Sequence, residues 1–174
     1  MSKKILVAYY SHSGNTRTIA GLIHKITDSD LFEILPKQPY PENYNQCVEQ
    51  AKREINSGYK PELQNGVSNI GAYDIVFAGS PNWWSTLAPP VVTFLSSYDF
   101  AGKTVIPFCT HGGGGKGRCL ADVEKLTPKS NHLEGFVISG NRAGNSADNS
   151  AGNSAGNSAQ PEIKTWLQKI KIIN

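Results

Sequence analysis

Ser11-His12-Ser13-Gly14-Asn15-Thr16 is the stretch that decides how the rest of this 174-residue chain is read. Just before it, Ile5-Leu6-Val7-Ala8-Tyr9-Tyr10 is apolar almost without interruption. Just after it, Ile19, Leu22, Ile23 and Ile26 recur at helical spacing. The pattern predicts a buried strand, a tight polar loop and an amphipathic helix over residues 16–26. A loop that enters a helix N-terminus exposes unpaired backbone N–H groups and the positive end of the helix dipole, so it favours anions. This one adds the hydroxyls of Ser11, Ser13 and Thr16, the Asn15 amide, and Gly14, where an anion can approach the backbone. It lacks the lysine of a triphosphate-binding loop and the three glycines of a dinucleotide loop. A helix cap needs only one such polar residue; neutral donors in this number suit a single terminal phosphate.

The length fits one well-buried domain over residues 1–174 and is short for two. Hydrophobic residues make up 39% of the chain, and no run is long enough to span a bilayer, so no membrane partner is expected. The basic start is followed by an apolar run too short for a signal peptide. Cys47, Cys109 and Cys119 are scattered and odd in number, which fits reduced thiols in a cytoplasm and offers no metal-ligand spacing. A net charge of +3, dispersed along the chain, argues against nucleic acid as a partner.

Further strands are expected at residues 31–35, 74–79, 103–109 and 133–139. Helices are expected at residues 44–57, from Pro89 or Pro90 through Leu95, at 118–126 and at 162–170. Strands that are apolar throughout and alternate with helices imply a parallel sheet covered on both faces, a doubly wound α/β domain. Ligands of such folds bind beyond the carboxyl ends of the strands. The unusual loops at 11–16, 80–84 and 110–115 all follow strand ends, so they can converge on one ligand. Residues 143–159, where Ala-Gly-Asn-Ser recurs, have no core-forming side chain and are expected to form an expanded low-complexity loop.

Ser80-Pro81-Asn82-Trp83-Trp84 places two adjacent indoles at a strand end, and both cannot face the same way. At least one is expected to pack against a flat aromatic ligand. Thr110-His111-Gly112-Gly113-Gly114-Gly115 lets bare backbone approach a ligand edge. A phosphate cradle, an aromatic platform and a glycine-lined edge together suit a mononucleotide with a large planar head.

These three stretches resemble the signatures Ser-x-Ser-Gly-Asn-Thr, Pro-x-Trp-Trp and Phe-x-Thr-His-Gly-Gly of the flavodoxin-like proteins, in order and at corresponding strand ends. The segment from Tyr40-Pro41-Glu42 to Lys60-Pro61-Glu62-Leu63 is similar too, so the resemblance spans nearly the whole chain outside the repeat tract. It implies a flavodoxin-like five-stranded parallel sheet of order 2-1-3-4-5 with helices on both faces, the arrangement of flavodoxin itself, and non-covalently bound FMN. By the resemblance, Ser11, Ser13, Gly14, Asn15 and Thr16 hold the FMN phosphate. Pro81, Asn82, Trp83 and Trp84 frame one side of the ring system, and Thr110, His111, Gly112, Gly113 and Gly115 frame the other. Ser85 stands where the family often has glycine.

The implied function is electron transfer with redox protein partners. The alternative is an FMN-dependent NAD(P)H oxidoreductase acting on quinones or similar small acceptors. No Asp or Glu occurs from Ser80 to Tyr98 or from Phe108 to Ala121, so an anionic reduced flavin would meet little local repulsion. Gly112, Gly114 and Gly117 fit a dinucleotide fingerprint, but they follow a late strand, where that pattern is weak. His111 with Cys109 and Cys119 reads as a pocket histidine, a buried strand cysteine and a helix cysteine rather than a metal or thiol-catalytic site. No residue is singled out as catalytic.

Overall fold

The computed structural model describes residues 3–143 and 156–174. Its elements are β1 (Ile5–Tyr9), α1 (Asn15–Thr27), β2 (Asp30–Glu33), α2 (Tyr44–Ser57), β3 (Ile75–Trp83), β4 (Thr86–Leu87) and α3 (Pro89–Ser97). They continue as β5 (Thr104–His111), α4 (Cys119–Leu126), β6 (Asn131–His132), β7 (Phe136–Ser139), α5 (Gly140–Ala143) and α6 (Gly156–Lys169). The sheet runs β2-β1-β3-β5 and ends with β6 and β7, both paired with β5; all of these pairs are parallel. This is the expected 2-1-3-4-5 order, with β5 as the fourth strand and β6 and β7 sharing the fifth place.

Alternation along the strands sends side chains to two cores. Leu6, Ala8, Val76, Ala78 and Val105 meet Cys47 of α2, Val91 and Phe94 of α3 and Val123 of α4 on one face. Val7, Tyr9, Phe77, Ile106 and Phe108 meet Ile19 and Ile23 of α1 and Ile163, Trp166 and Leu167 of α6 on the other. Both faces of the sheet are thus removed from water, which is why these strands read as unbroken apolar runs. Cys47, Cys109 and Cys119 are buried free thiols. Among the described residues, no helix is long and apolar enough to cross a membrane.

Three local features differ from the sequence reading. Residues 80–83, expected as loop, extend β3 beyond the parallel sheet and fold back on β4 as an antiparallel hairpin, with Trp83 opposite Thr86. The last strand is divided, and its register against β5 slips by one residue between Val105↔His132 and Phe108↔Phe136. Pro107 lies in that gap and has no N–H to donate, so the ladder breaks beside it. The ends of the expected 143–159 loop are helical instead: Ala143 closes α5, and α6 begins at Gly156, with Ala143 and Ala159 fully buried. The remainder of that tract, 144–155, lies outside the described residues.

Candidate functional site

Gly14 adopts φ 98°, ψ −9°, a left-handed conformation that suits glycine, and it turns the chain from β1 into α1. Its N–H donates to Ser11 Oγ at 3.0 Å, and its carbonyl accepts from the Thr18 N–H and hydroxyl at 3.0 and 3.1 Å. As the N-cap residue, Gly14 brings no side chain of its own to cap α1. First-turn N–H groups at such a helix start are the donors that an anion requires. Thr16 is buried, and its Oγ1 lies 2.8 Å from Thr110 Oγ1, joining the first loop to the end of β5.

The hairpin joins the other two loops. The Asn82 Nδ2 donates to the Gly115 carbonyl at 2.7 Å, and the Arg118 N–H donates to the Ser85 carbonyl at 2.7 Å. Gly117, at φ 49°, packs so closely under the hairpin that a Cβ there would lie 2.5 Å from the Ser85 carbonyl oxygen. The turn residues Trp84 and Ser85 have φ of 52° and 65°. Two consecutive positive φ values match the tight hairpin turn whose twist fits its strands, usually built from Asn and Gly. Held there, a non-glycine residue costs about 1–2 kcal/mol, whereas glycine costs about 0.5–1 kcal/mol in lost chain freedom. Ser85→Gly is therefore expected to raise stability by up to about 1 kcal/mol, or about 2–4 °C in Tm, read by thermal unfolding.

A cavity of about 460 Å³ opens where these loops meet, a size usual for small-molecule sites. It is lined by His12, Ser13, Asn15 and Thr16 from the first loop, Pro81 to Trp84 from the hairpin, and Thr110, His111 and Gly112 from the third loop. A fourth wall comes from α2, with Tyr44, Cys47, Val48 and Ala51. Of the residues singled out in the sequence, ten thus line one cavity, counting Ser13, Asn15, Thr16, the four of the hairpin and the three of the third loop. Ser11, Gly14, Gly113 and Gly115 stand behind the lining. Each shapes it through a bond already described, except Gly113, whose N–H donates to His111 Nδ1 at 3.0 Å. That bond makes Nδ1 the acceptor, so the neutral His111 ring carries its proton on Nε2.

The two tryptophans point apart, as adjacency requires. Trp83 is half-buried against Tyr10, Tyr40 and the edge of His12, whose Nε2 lies 3.1 Å from the Pro41 carbonyl. Trp84 is exposed; its indole N–H donates to the Val48 carbonyl at 3.0 Å, and Lys52 Nζ sits 4.9 Å from its ring centroid. The α2 wall and His12 were not singled out by sequence. Cys47, Val48 and Ala51 share the apolar stripe of α2, a signal that core packing explains equally well.

Two buried polar atoms among the described residues have no hydrogen-bond partner, Asn15 Oδ1 and Asn82 Oδ1. Both residues line the cavity. Leaving such atoms unpaired costs about 1–3 kcal/mol each, so the cavity is built to receive a ligand that presents hydrogen-bond donors on two sides.

A family model described as flavodoxin matches residues 4–153. A crystal structure from Bacteroides eggerthii DSM 20697, provisionally described as a flavoprotein, is 31% identical; the match covers 97% of this chain and 98% of that one at a TM-score of 0.77. The flavoprotein of Lactobacillus acidophilus NCFM in complex with FMN is 27% identical, with 78% of this chain and 93% of that one covered at a TM-score of 0.66. No curated protein matches the chain.

Proposed function

The chain belongs to the flavodoxin family, and from that premise we propose that it binds FMN non-covalently in this cavity and carries electrons between protein partners. The observation that carries the reading is the meeting of a helix N-terminus with glycine at its cap, an indole wall and two unpartnered carboxamide oxygens in one cavity. In this reading Ser11, Ser13, Gly14, Asn15 and Thr16 bind the phosphate through hydroxyls, amide and backbone N–H groups. Pro81, Asn82, Trp83 and Trp84 line one side of the ring system; Thr110, His111, Gly112, Gly113 and Gly115 line the other. Asn82 is held by Gly115, so its Oδ1 is committed as an acceptor for a ligand N–H or hydroxyl. FMN carries both kinds of donor, in its ring imide and its ribityl chain.

When bound, the flavin supplies the redox chemistry by taking up and returning electrons. The chain contributes position and charge. Among the described residues the lining contains no carboxylate, and each of its two histidines has one ring nitrogen engaged with a backbone group. Without a carboxylate to act as acid or base on a substrate, the site suits carriage better than catalysis. An acid-free lining also spares a reduced flavin from like-charge repulsion. The couple is accordingly expected to be less negative than in carriers with acidic sites, and a redox titration checks this.

The deciding experiment begins with colour. Purified protein should be yellow or take up FMN stoichiometrically; a colourless chain that stays colourless in excess FMN removes the proposal. With FMN bound, NADPH oxidation should be negligible until a reductase is added. Appreciable turnover without one would replace carriage by an NAD(P)H oxidoreductase acting on quinones or similar acceptors.

A further inference from the structure

Behind the cavity wall, three aromatic rings pack edge to face. The Tyr40 ring centroid is 4.9 Å from that of Trp83 at 83°, and Tyr10 is 5.4 Å from it at 85°. The two tyrosines lie 6.1 Å apart, and both are buried. They differ in where the phenol proton can go. Tyr40 donates its hydroxyl to Glu54 Oε2 on α2, and the other oxygen of Glu54 accepts from Gln50 Nε2 at 2.9 Å. Among the described residues, the Tyr10 hydroxyl makes no hydrogen bond. Glu54 is half-buried, so a proton received there has a way to solvent.

Electrons pass readily between rings in contact, so the fate of the proton decides which ring holds the oxidising equivalent. A phenol that loses an electron becomes a strong acid. In an apolar setting, where an unpaired charge is costly, it gives up the electron only when a base takes the proton with it. Burial, and then the Glu54 hydrogen bond, push the Tyr40 phenol far above its ordinary range, so its proton stays in place until an electron leaves.

We propose that Trp83, Tyr40 and Glu54 form a relay that draws oxidising equivalents out of the cavity wall, with Glu54 as the proton acceptor. A one-electron oxidising radical takes an electron from the Trp83 indole and is itself reduced by one. Tyr40 then gives one electron to the Trp83 radical cation and restores the neutral indole, while its O–H bond breaks and the proton passes to Glu54 Oε2. The products are a neutral Tyr40 radical and a protonated Glu54, so charge and atoms balance. Tyr10, 5.4 Å from Trp83, is a bystander because no carboxylate of the described residues is hydrogen-bonded to its hydroxyl, which leaves only water, a far weaker base, to take its proton. None of these steps requires FMN, so this relay and the cofactor proposal stand or fall separately.

The test is pulse radiolysis of the full chain with the azide radical, which oxidises indoles selectively. In the wild type the indolyl absorption should convert to phenoxyl absorption in a phase independent of protein concentration. Y40F should abolish that phase, W83F should remove most of its amplitude, and Y10F should leave it unchanged. E54Q keeps a side chain of the same shape but a much weaker base, and should slow the phase about tenfold or more, the effect of about 1.4 kcal/mol in barrier. Phenoxyl formation at the wild-type rate in Y40F, or in E54Q, overturns the relay. Should Y40F fail to fold, E54Q decides alone, since Glu54 is only half-buried and glutamine keeps its shape.

Discussion

Replacing Ser13 and Thr16 together by leucine is expected to lower FMN affinity about a hundredfold or more while leaving the sheet intact. Both residues line the cavity at the start of α1, where the cap residue is a glycine. A hydrogen bond to a charged group contributes about 1.5–3 kcal/mol, and two lost together correspond to a change of two orders of magnitude or more. The leucines also exclude the anion by bulk. The structural cost is smaller: Thr16 gives up its bond to Thr110 and gains volume in a packed spot, which costs about 1–3 kcal/mol. Titration of apoprotein with FMN, followed by quenching of flavin fluorescence, reads the affinity, and circular dichroism reads the fold. A folded double variant with wild-type affinity contradicts the phosphate assignment. Thr16→Val separates the two effects, because it removes one hydroxyl at almost constant volume.

Gly79→Val should be among the most damaging single changes to stability. Gly79 lies in β3 between Tyr9 of β1 and Phe108 of β5. A Cβ at this position would stand 2.1 Å from Phe108 Cζ and 2.4 Å from Cε2. The Phe108 ring is 2% exposed, so it has no free space to enter. Forcing atoms into a filled core costs about 1–3 kcal/mol and at times more. Here the overlap involves backbone-anchored Cβ and a packed ring, and the expected loss is at least about 3 kcal/mol. At about 2–4 °C per kcal/mol for a chain of this size, Tm should fall by about 6–12 °C. Unfolding followed by circular dichroism checks this, and a shift below a couple of degrees would mean that Phe108 can move aside. Damage should also reach the cavity. The next residue, Ser80, accepts the Ala88 N–H at 3.0 Å and donates to the Pro81 carbonyl at 2.8 Å, which fixes where the hairpin departs.

Much of this architecture is legible in the sequence because the strands are buried on both faces. Residues such as Ile75-Val76-Phe77-Ala78 then admit only one reading, and their alternation with amphipathic helices sets the layers. The first loop is legible for a related reason: Gly14 and its hydroxyl-bearing neighbours are unusual at a strand end. The hairpin is not. Its turn is Trp84-Ser85, without the Asn or Gly that marks such turns, and Pro81 argues against strand. It is imposed from outside, by Gly117, by Arg118 and by Gly115, whose carbonyl accepts from Asn82. Pro107 could have signalled the broken ladder beside β5, since a proline in an interior strand interrupts pairing on one side. The α2 wall was hidden because Cys47, Val48 and Ala51 form an apolar stripe whose spacing core packing explains equally well, and Cys47 does pack in the core.

The bond from the Trp84 indole to the Val48 carbonyl mechanically couples the hairpin tip to the middle of α2. Segments that are linked in this way open together, so the two should share one sub-global unfolding unit. Filling the cavity would then slow amide exchange along α2 as well as in the loops, although α2 contributes only one wall.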